Sequence, residues 1–186
     1  SEPLAAVGKG DMVAMTILET DRLLLRRFVP GDLDDLFALY SDPEVRRHFP
    51  EGVLRRDETQ EELEWFLDGH PDHPELGLWA TIHKPSGRFI GRCGLLPWMI
   101  EDRLETEVAY LLARDQWRQG LGVEIARGLV RYGFEQLNRP RLISLIDPEN
   151  VASQRTAEKA GLAFEREIVL DDMRCRIYAA ANPGLR

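Results

Sequence analysis

Hydrophobic residues along this chain fall into short alternating or continuous runs and into three- and four-residue spacings, and the two rhythms succeed one another from about residue 22 onward. Arg22 to Phe28 (RLLLRRF) has strand character. Pro30-Gly31-Asp32 then makes a turn, with Asp32 placed to cap a helix on which Leu33, Leu36, Phe37 and Tyr40 follow at helical spacing. A second helix is expected from about Thr59 to Leu67, with Leu63, Phe66 and Leu67 on one side and Glu58, Glu61 and Glu62 on its polar surface. Asp68 to Gly77 (DGHPDHPELG) is rich in turn formers and reads as a loop. Leu78 to His83 and Arg88 to Leu96 read as strands joined across Lys84-Pro85-Ser86-Gly87, and a third strand, Thr106 to Ala113, follows an acidic loop from Ile100 to Glu105.

The rhythm from Trp117 to Leu137 is helical. Val123, Ala126, Val130, Phe134 and Leu137, flanked by Ile125, Leu129 and Gly133, form an apolar stripe, with Glu124, Arg127, Arg131, Glu135 and Asn138 opposite. After it come a strand, Leu142 to Ile146, and a helix, Val151 to Ala160, closed by Gly161. Two last strands, Ala163 to Leu170 and Met173 to Ala180, turn at Asp171-Asp172.

With 186 residues and 44% hydrophobic content, the chain is long enough for one domain with a real core and needs no second. Residues 1–15 are small, Gly-containing and aperiodic; they read as a flexible N-terminal arm, native or the remnant of a tag, before a domain spanning 16–186. No run of 18 apolar residues exists and the first fifteen lack a signal-peptide layout, so the expectation is a cytoplasmic protein with no membrane partner. Cys93 and Cys175 lie far apart without ligand spacing, which argues for core residues rather than a disulfide or zinc. His70 and His73 have no third ligand nearby and belong to the solvated loop, so no metal is expected. The net charge of −8 argues against a nucleic-acid partner. It suits an amine-bearing substrate and equally suits ordinary solubility.

Candidate chemistry centres on Arg118-Gln119-Gly120-Leu121-Gly122 at the head of the long helix. Glycine lets backbone approach an anion, and the following helix aims unpaired N–H groups and its positive end at the same place. A plain tight turn would carry the same pair of glycines. A dinucleotide site is disfavoured: the third glycine is replaced by Ile125, the segment Ala113 to Gly120 is too long for that turn, and the preceding hairpins do not build a doubly wound sheet.

The segment Trp117-Arg118-Gln119-Gly120-Leu121-Gly122 resembles the Q/R-x-x-G-x-G/A pyrophosphate signature of the GNAT superfamily of acyl-CoA-dependent N-acyltransferases. Asp147-Pro148-Glu149-Asn150-Val151-Ala152-Ser153, followed by Glu158-Lys159-Ala160-Gly161-Leu162, is similar to the next motif of the branch holding the ribosomal-protein alanine N-acetyltransferases, and so is the opening LETDRLLLRRFVPGDLDDLFALYSDPEV. The resemblance spans about Thr16 to Ala180. It implies a single mixed α/β domain: a central, mostly antiparallel sheet of about seven strands, splayed at the cofactor site and flanked by four helices. It also implies acetyl-CoA as acetyl donor, a peptide N-terminus or a small amine as acceptor, and no metal. A homodimer is compatible with it, although nothing in the chain fixes the oligomeric state.

The resemblance assigns pyrophosphate binding to Trp117, Arg118, Gln119, Gly120, Leu121, Gly122 and Val123. It lays the pantetheine arm along Tyr110, Leu111 and Leu112, with Asn150 and Ser153 at its far side. Asn150 reads equally as the cap of its own helix. Many relatives carry a tyrosine acid where this chain has Ala157, so the acid role passes to Ser153. Glu107, in Glu107-Val108-Ala109-Tyr110, is the first candidate base and Glu124 the second, although an acidic residue in a first helical turn is favourable without any function. Trp98, Met99, His48 and Phe49 are candidates for the acceptor pocket or for plain packing. A CoA-binding regulator without turnover is the alternative of another class.

Overall fold

The eight strands observed in a computed structural model form one sheet in the order β1-β2-β3-β4-β5-β6-β8-β7. The structure describes residues 14–185, so all but the last two residues of the expected arm lie outside it. The strands are β1 (Thr16–Glu19), β2 (Leu23–Arg26), β3 (Gly77–His83), β4 (Arg88–Ile100), β5 (Arg103–Leu112), β6 (Arg141–Ile146), β7 (Ala163–Leu170) and β8 (Met173–Ala181). The helices are α1 (Leu33–Tyr40), α2 (Arg56–Asp68), α3 (Leu121–Arg131) and α4 (Val151–Lys159). The mixed, mostly antiparallel sheet and four helices expected are all present, with β1 the one strand in excess of seven. Its four residues are too few to show an alternation.

Two helix pairs cover the two faces. Leu121, Ile125 and Leu129 of α3 pack on Leu23, Leu25, Cys93, Leu95, Val108 and Leu142. On the opposite face Leu36, Leu39 and Tyr40 of α1 and Leu63 of α2 pack on Phe28 and Ala80. The α4 helix closes a smaller cluster of Ile146, Ala157, Leu162 and Tyr178.

Three details differ from the sequence expectations. First, β4 and β5 form one long hairpin with Ile100 paired to Arg103, so Ile100 to Glu105 is strand apart from the turn residues Glu101 and Asp102. Both turn residues are left-handed (φ 50° and 62°), the two-residue geometry whose twist suits a hairpin. Charge hid the strand: Glu105 is buried against Arg141 rather than exposed. Second, α3 gives way to a π-helical turn over Tyr132–Gln136, and its buried face centres on Leu121, Ile125, Ala126 and Leu129. Val123 turns toward the cleft instead, because Glu124 rotates inward to meet Thr20 and Arg22. Third, Asp32 does not cap α1. Its carboxylate is drawn backward by a bidentate pair with Arg26 and by the Val29 N–H.

The feature that positions the site is the seam between β5 and β6. They are parallel and meet through a single pair, Glu107 with Ile143. Beyond it the strands diverge, the Ser144 hydroxyl donating to the Val108 carbonyl across the gap at 3.1 Å.

Candidate functional site

The splayed seam opens into a cavity of about 530 Å³. One wall is the end of β5, with Tyr110, Leu111 and Leu112; the other is the start of α4, with Asn150, Ala152, Ser153 and Thr156. The loop and first turn of α3 close the inner end through Trp117, Arg118, Gly120, Leu121, Gly122 and Val123. Eleven of the cofactor positions expected from sequence are thus brought together on one cavity. Gln119 is not among them. Its amide reaches back to the Asp115 carbonyl and its own carbonyl accepts from Arg22, so it shapes the loop from outside.

Local chemistry explains the shape of the inner end. Gly120 sits at φ 78°, a left-handed conformation that starts α3, and the first helical bond runs from the Glu124 N–H to the Gly120 carbonyl. The N–H groups of Leu121, Gly122 and Val123 precede that bond and have no intrahelical acceptor. A Cβ at Gly122 would meet nothing nearer than Thr156 at 3.8 Å, so the space before these donors is open. The Trp117 indole donates to the Leu112 carbonyl at 2.9 Å and pins the loop to β5. Arg47, Arg118 and Lys159 line the cavity against one carboxylate, Glu44. Free N–H donors, a helix N-terminus and excess positive charge fit the pyrophosphate of a CoA.

Asn150 caps α4, its side-chain oxygen accepting from the Ser153 N–H at 3.1 Å. Its amide nitrogen makes no hydrogen bond among the described residues, so both roles considered for it are sterically available. The Ser153 hydroxyl lies 3.1 Å from the Tyr110 hydroxyl, which also donates to the Ser153 carbonyl at 3.2 Å. Burial pushes the Tyr110 phenol up to about 12, opposed by the Ser153 hydrogen bond. Ala157 is fully buried in the small α4 cluster.

Glu107 does not line this cavity. It lies at the seam itself, where the Trp98 indole donates to its carboxylate at 2.9 Å. Burial pushes its carboxyl up to about 7, with Trp98, the charge of Arg92 and the Leu145 N–H pulling back. Such a group is half ionised near neutrality, as a general base requires. Glu124 has the opposite environment. Burial raises its carboxyl, but hydrogen bonds from Thr20 and Arg22 and the Arg22 charge outweigh that and hold it below its ordinary value. It clamps the β1–β2 turn to α3.

Of the acceptor candidates, His48 lines the cavity and reaches Asp147, at the end of β6, at 3.3 Å. Phe49 stacks under Arg46, and Met99 is exposed. Glu44, Val45, Arg47, Gln116, Ala152, Thr156 and Lys159 also line the cavity without having been singled out. Three of them, Glu44, Val45 and Arg47, belong to the segment after α1, which only folding brings over the seam; the other four lie in the loop before α3 and in α4. The His70 and His73 rings lie 5.1 Å apart and tilted in their loop, and no group of three or more potential metal ligands gathers among the described residues.

Comparison with known proteins agrees with this geometry. Residues 22–163 match the family model described as an acetyltransferase (GNAT) domain. The chain is 35% identical over 158 residues to the uncharacterized protein YkkB of Bacillus subtilis (strain 168), covering 84% of this chain and 91% of that one. In structure it is similar to a GNAT-family acetyltransferase from Bacillus anthracis (TM-score 0.77, 22% identity, covering 90% and 99% of the two chains). It is also similar to the aminoglycoside acetyltransferase AAC(6')-Ib in complex with paromomycin and acetyl-CoA (TM-score 0.73, 18% identity, covering 87% and 94%). The chain belongs to the GNAT family of acetyltransferases.

Proposed function

We propose that this protein transfers an acetyl group from acetyl-CoA to a primary amine by direct attack in a ternary complex, with the α-amino group of a peptide as the favoured acceptor. The observation that carries the reading is the seam: a CoA-sized cleft with free N–H donors on one side, and on the other a half-buried carboxyl raised to about 7. Acetyl-CoA supplies an activated thioester. The Leu121, Gly122 and Val123 N–H groups, with Arg118, hold its pyrophosphate, and Trp117 fixes the loop that carries them. The backbone of Tyr110, Leu111 and Leu112 pairs with the pantetheine arm, and the amide of Asn150 donates to it.

Glu107 takes the proton the amine loses as its nitrogen bonds to the acetyl carbon. As the C–S bond breaks, the Ser153 hydroxyl gives its proton to the departing sulfur and recovers one from water, with Tyr110 holding that hydroxyl in place.

A base with a pKa about 7 suits an α-amine. At pH 7 an α-amino group of pKa about 8 is roughly 10% neutral, whereas a lysine near 10.4 is neutral only about 0.04% of the time. The resemblance to the ribosomal-protein alanine N-acetyltransferases supports the same choice. A small amine such as a polyamine or aminoglycoside is the second reading, favoured by the likeness to AAC(6')-Ib. Thiol release from acetyl-CoA, followed with matched peptides bearing either a free N-terminus or a free lysine, and with an aminoglycoside, decides among these. A higher kcat/KM on the lysine peptide, or turnover of the aminoglycoside alone, overturns the first reading. CoA binding with no thiol release from any amine would make the protein a regulator.

A further inference from the structure

Beneath the segment that follows α1, two arginines are buried side by side without a buried carboxylate between them. Arg46 is 3% exposed and Arg92 7%. Both guanidinium groups lie against the same two rings: Arg46 is 4.1 Å from the Phe49 centroid and 5.0 Å from that of Tyr40, and Arg92 is 5.7 and 5.5 Å from them. Each spends its Nε on a neutral oxygen, Arg46 on the Gly52 carbonyl and Arg92 on the Tyr40 hydroxyl. The four terminal nitrogens donate no hydrogen bond among the described residues. The one carboxylate paired with either is Glu51, 3.7 Å from Arg46 and 63% exposed. Glu62, half-buried on α2, lends its counter-charge to both and acts on the Tyr40 hydroxyl as well.

Aromatic faces compensate part of the cost of burying a cation. They leave the forked donors, which match a carboxylate in geometry and strength, unused.

The pair stands beside the acceptor end of the seam. Val45, Arg47 and His48, which flank Arg46, line the cavity, as does Leu111, the ladder partner of Arg92. On β4 and β5 the face carrying Arg92 and Leu111 continues through Gly94 and Ala109 to Leu96 and Glu107. Glu107 and Arg92 therefore stand at the two ends of a floor of small residues, their backbones about 13 Å apart along the strand. The charge of Arg92 is felt at the Glu107 carboxylate, so the two ends of that floor are within electrostatic reach of each other.

We infer that the acceptor carries a carboxylate as well as its amine: the amine turns to Glu107, and the carboxylate docks on Arg92 and Arg46 at the far end of the Gly94–Ala109 floor. This rests on the acetyl-transfer reading for the amine end. An acidic side chain close behind a peptide N-terminus and a small amino-carboxylate share the required chemistry. Because the whole chain bears a net charge of −8, an anionic group gains nothing from the long-range field and needs a local cationic pair of this kind.

The test uses the full chain and two matched acceptor pairs: peptides identical but for Glu or Gln at the second position, and a small amino acid against its amide. The expected result is a kcat/KM about 10- to 100-fold higher for the carboxylate member of at least one pair, expressed in KM, the fold-change typical of a buried ion pair. The pair that shows it identifies the source. In Arg92→Met the preference disappears, and in Arg92→Lys part of it remains; circular dichroism confirms that each variant is folded. Equal kcat/KM within both pairs of the wild type, or a preference that survives in Arg92→Met, overturns the inference. Tryptophan fluorescence titrated with the same acceptors separates this outcome from failure of the transfer reading. Carboxylate-dependent quenching that Arg92→Met abolishes, without turnover of any amine, leaves the carboxylate site standing and removes the reaction. Turnover without carboxylate preference does the reverse.

Discussion

Replacing Glu107 by Gln keeps the size of the side chain and an acceptor for the Trp98 indole, and removes only the ionisable proton. The wild-type carboxyl rises from 4.5 to about 7 on folding, chiefly by burial. A group raised in this way contributes stability that is fully present below its unfolded pKa and is lost as pH climbs through its folded one. The loss amounts to about 3 kcal/mol by pH 9, the worth of moving a carboxyl from 4.5 to about 7. Glu107→Gln does not suffer it. The variant is therefore expected to melt about 6–12 °C above the wild type at pH 9 and close to it at pH 4, using the ~2–4 °C per kcal/mol usual for this chain length. Activity moves the other way: kcat falls about 10²- to 10⁴-fold, the worth of one general base. The limb of the wild-type pH profile with an inflection near 7 disappears, while the limb belonging to the substrate amine stays. Differential scanning fluorimetry and thiol-release kinetics from pH 4 to 9 measure both. A variant with near-full kcat that retains the inflection removes Glu107 from the chemistry; one that melts identically at pH 9 contradicts the raised carboxyl itself.

Gly120→Asp places a charged side chain at a left-handed φ before the α3 donors; the conformational cost is about 1–2 kcal/mol, so the fold persists while CoA affinity by calorimetry drops more than about 100-fold. Ser153→Ala is expected to lower kcat about 10²- to 10⁴-fold with an unchanged CoA dissociation constant, and Tyr110→Phe to lower it less, because the phenol acts only through the Ser153 hydroxyl. Near-full kcat in Ser153→Ala across pH 6 to 9 would mean that the thiolate leaves without that proton. Glu124→Gln destabilises the fold by about 1–3 kcal/mol at neutral pH through the weakened Thr20 and Arg22 clamp, with kcat retained. The wild-type clamp itself weakens in acid, since a carboxyl held below its ordinary value contributes stability above the unfolded pKa and loses it as pH falls.

Local signals in the chain carried the elements whose pattern is one-sided. Leu142 to Ile146 and the α4 segment form where the pattern places them, Leu36 and Tyr40 bury as their spacing says although Leu39 joins them and Leu33 and Phe37 stay half-buried, and glycine conformations at 120 and 161 match the roles expected of them. Legibility failed where a polar residue turns inward. Glu105 made a strand look like an acidic loop, and Glu124 rotated α3 away from its apparent stripe. In the site, the cavity positions contiguous in sequence, from Trp117 to Val123, were legible because a turn and a helix start are local events; Gln119 misled because only the loop's fold shows which way it faces. In the segment around Arg46 only His48 and Phe49 were singled out, as pocket or packing; which of its residues face the cavity was not legible, since its relation to β5 depends on how α1 and α2 pack across the sheet.

The single Glu107–Ile143 bridge divides the backbone ladder into a five-stranded and a three-stranded part. Past that bridge the outer edge of β5 faces no partner strand, so its amides depend on whatever occupies the cleft for shielding from solvent. Deuterium uptake at Tyr110 and Leu112, whose amides point to that outer edge, should therefore report occupancy directly, fast in the free protein and slow once an extended amide-bearing arm lies alongside, while Leu111, bonded to β4, serves as the internal reference. A ligand that zips the two parts together also stabilises them jointly, by an amount that grows with the logarithm of its concentration over its dissociation constant. The donor arm would in that sense be a transient ninth strand, and the protein reaches its most protected state only while holding it.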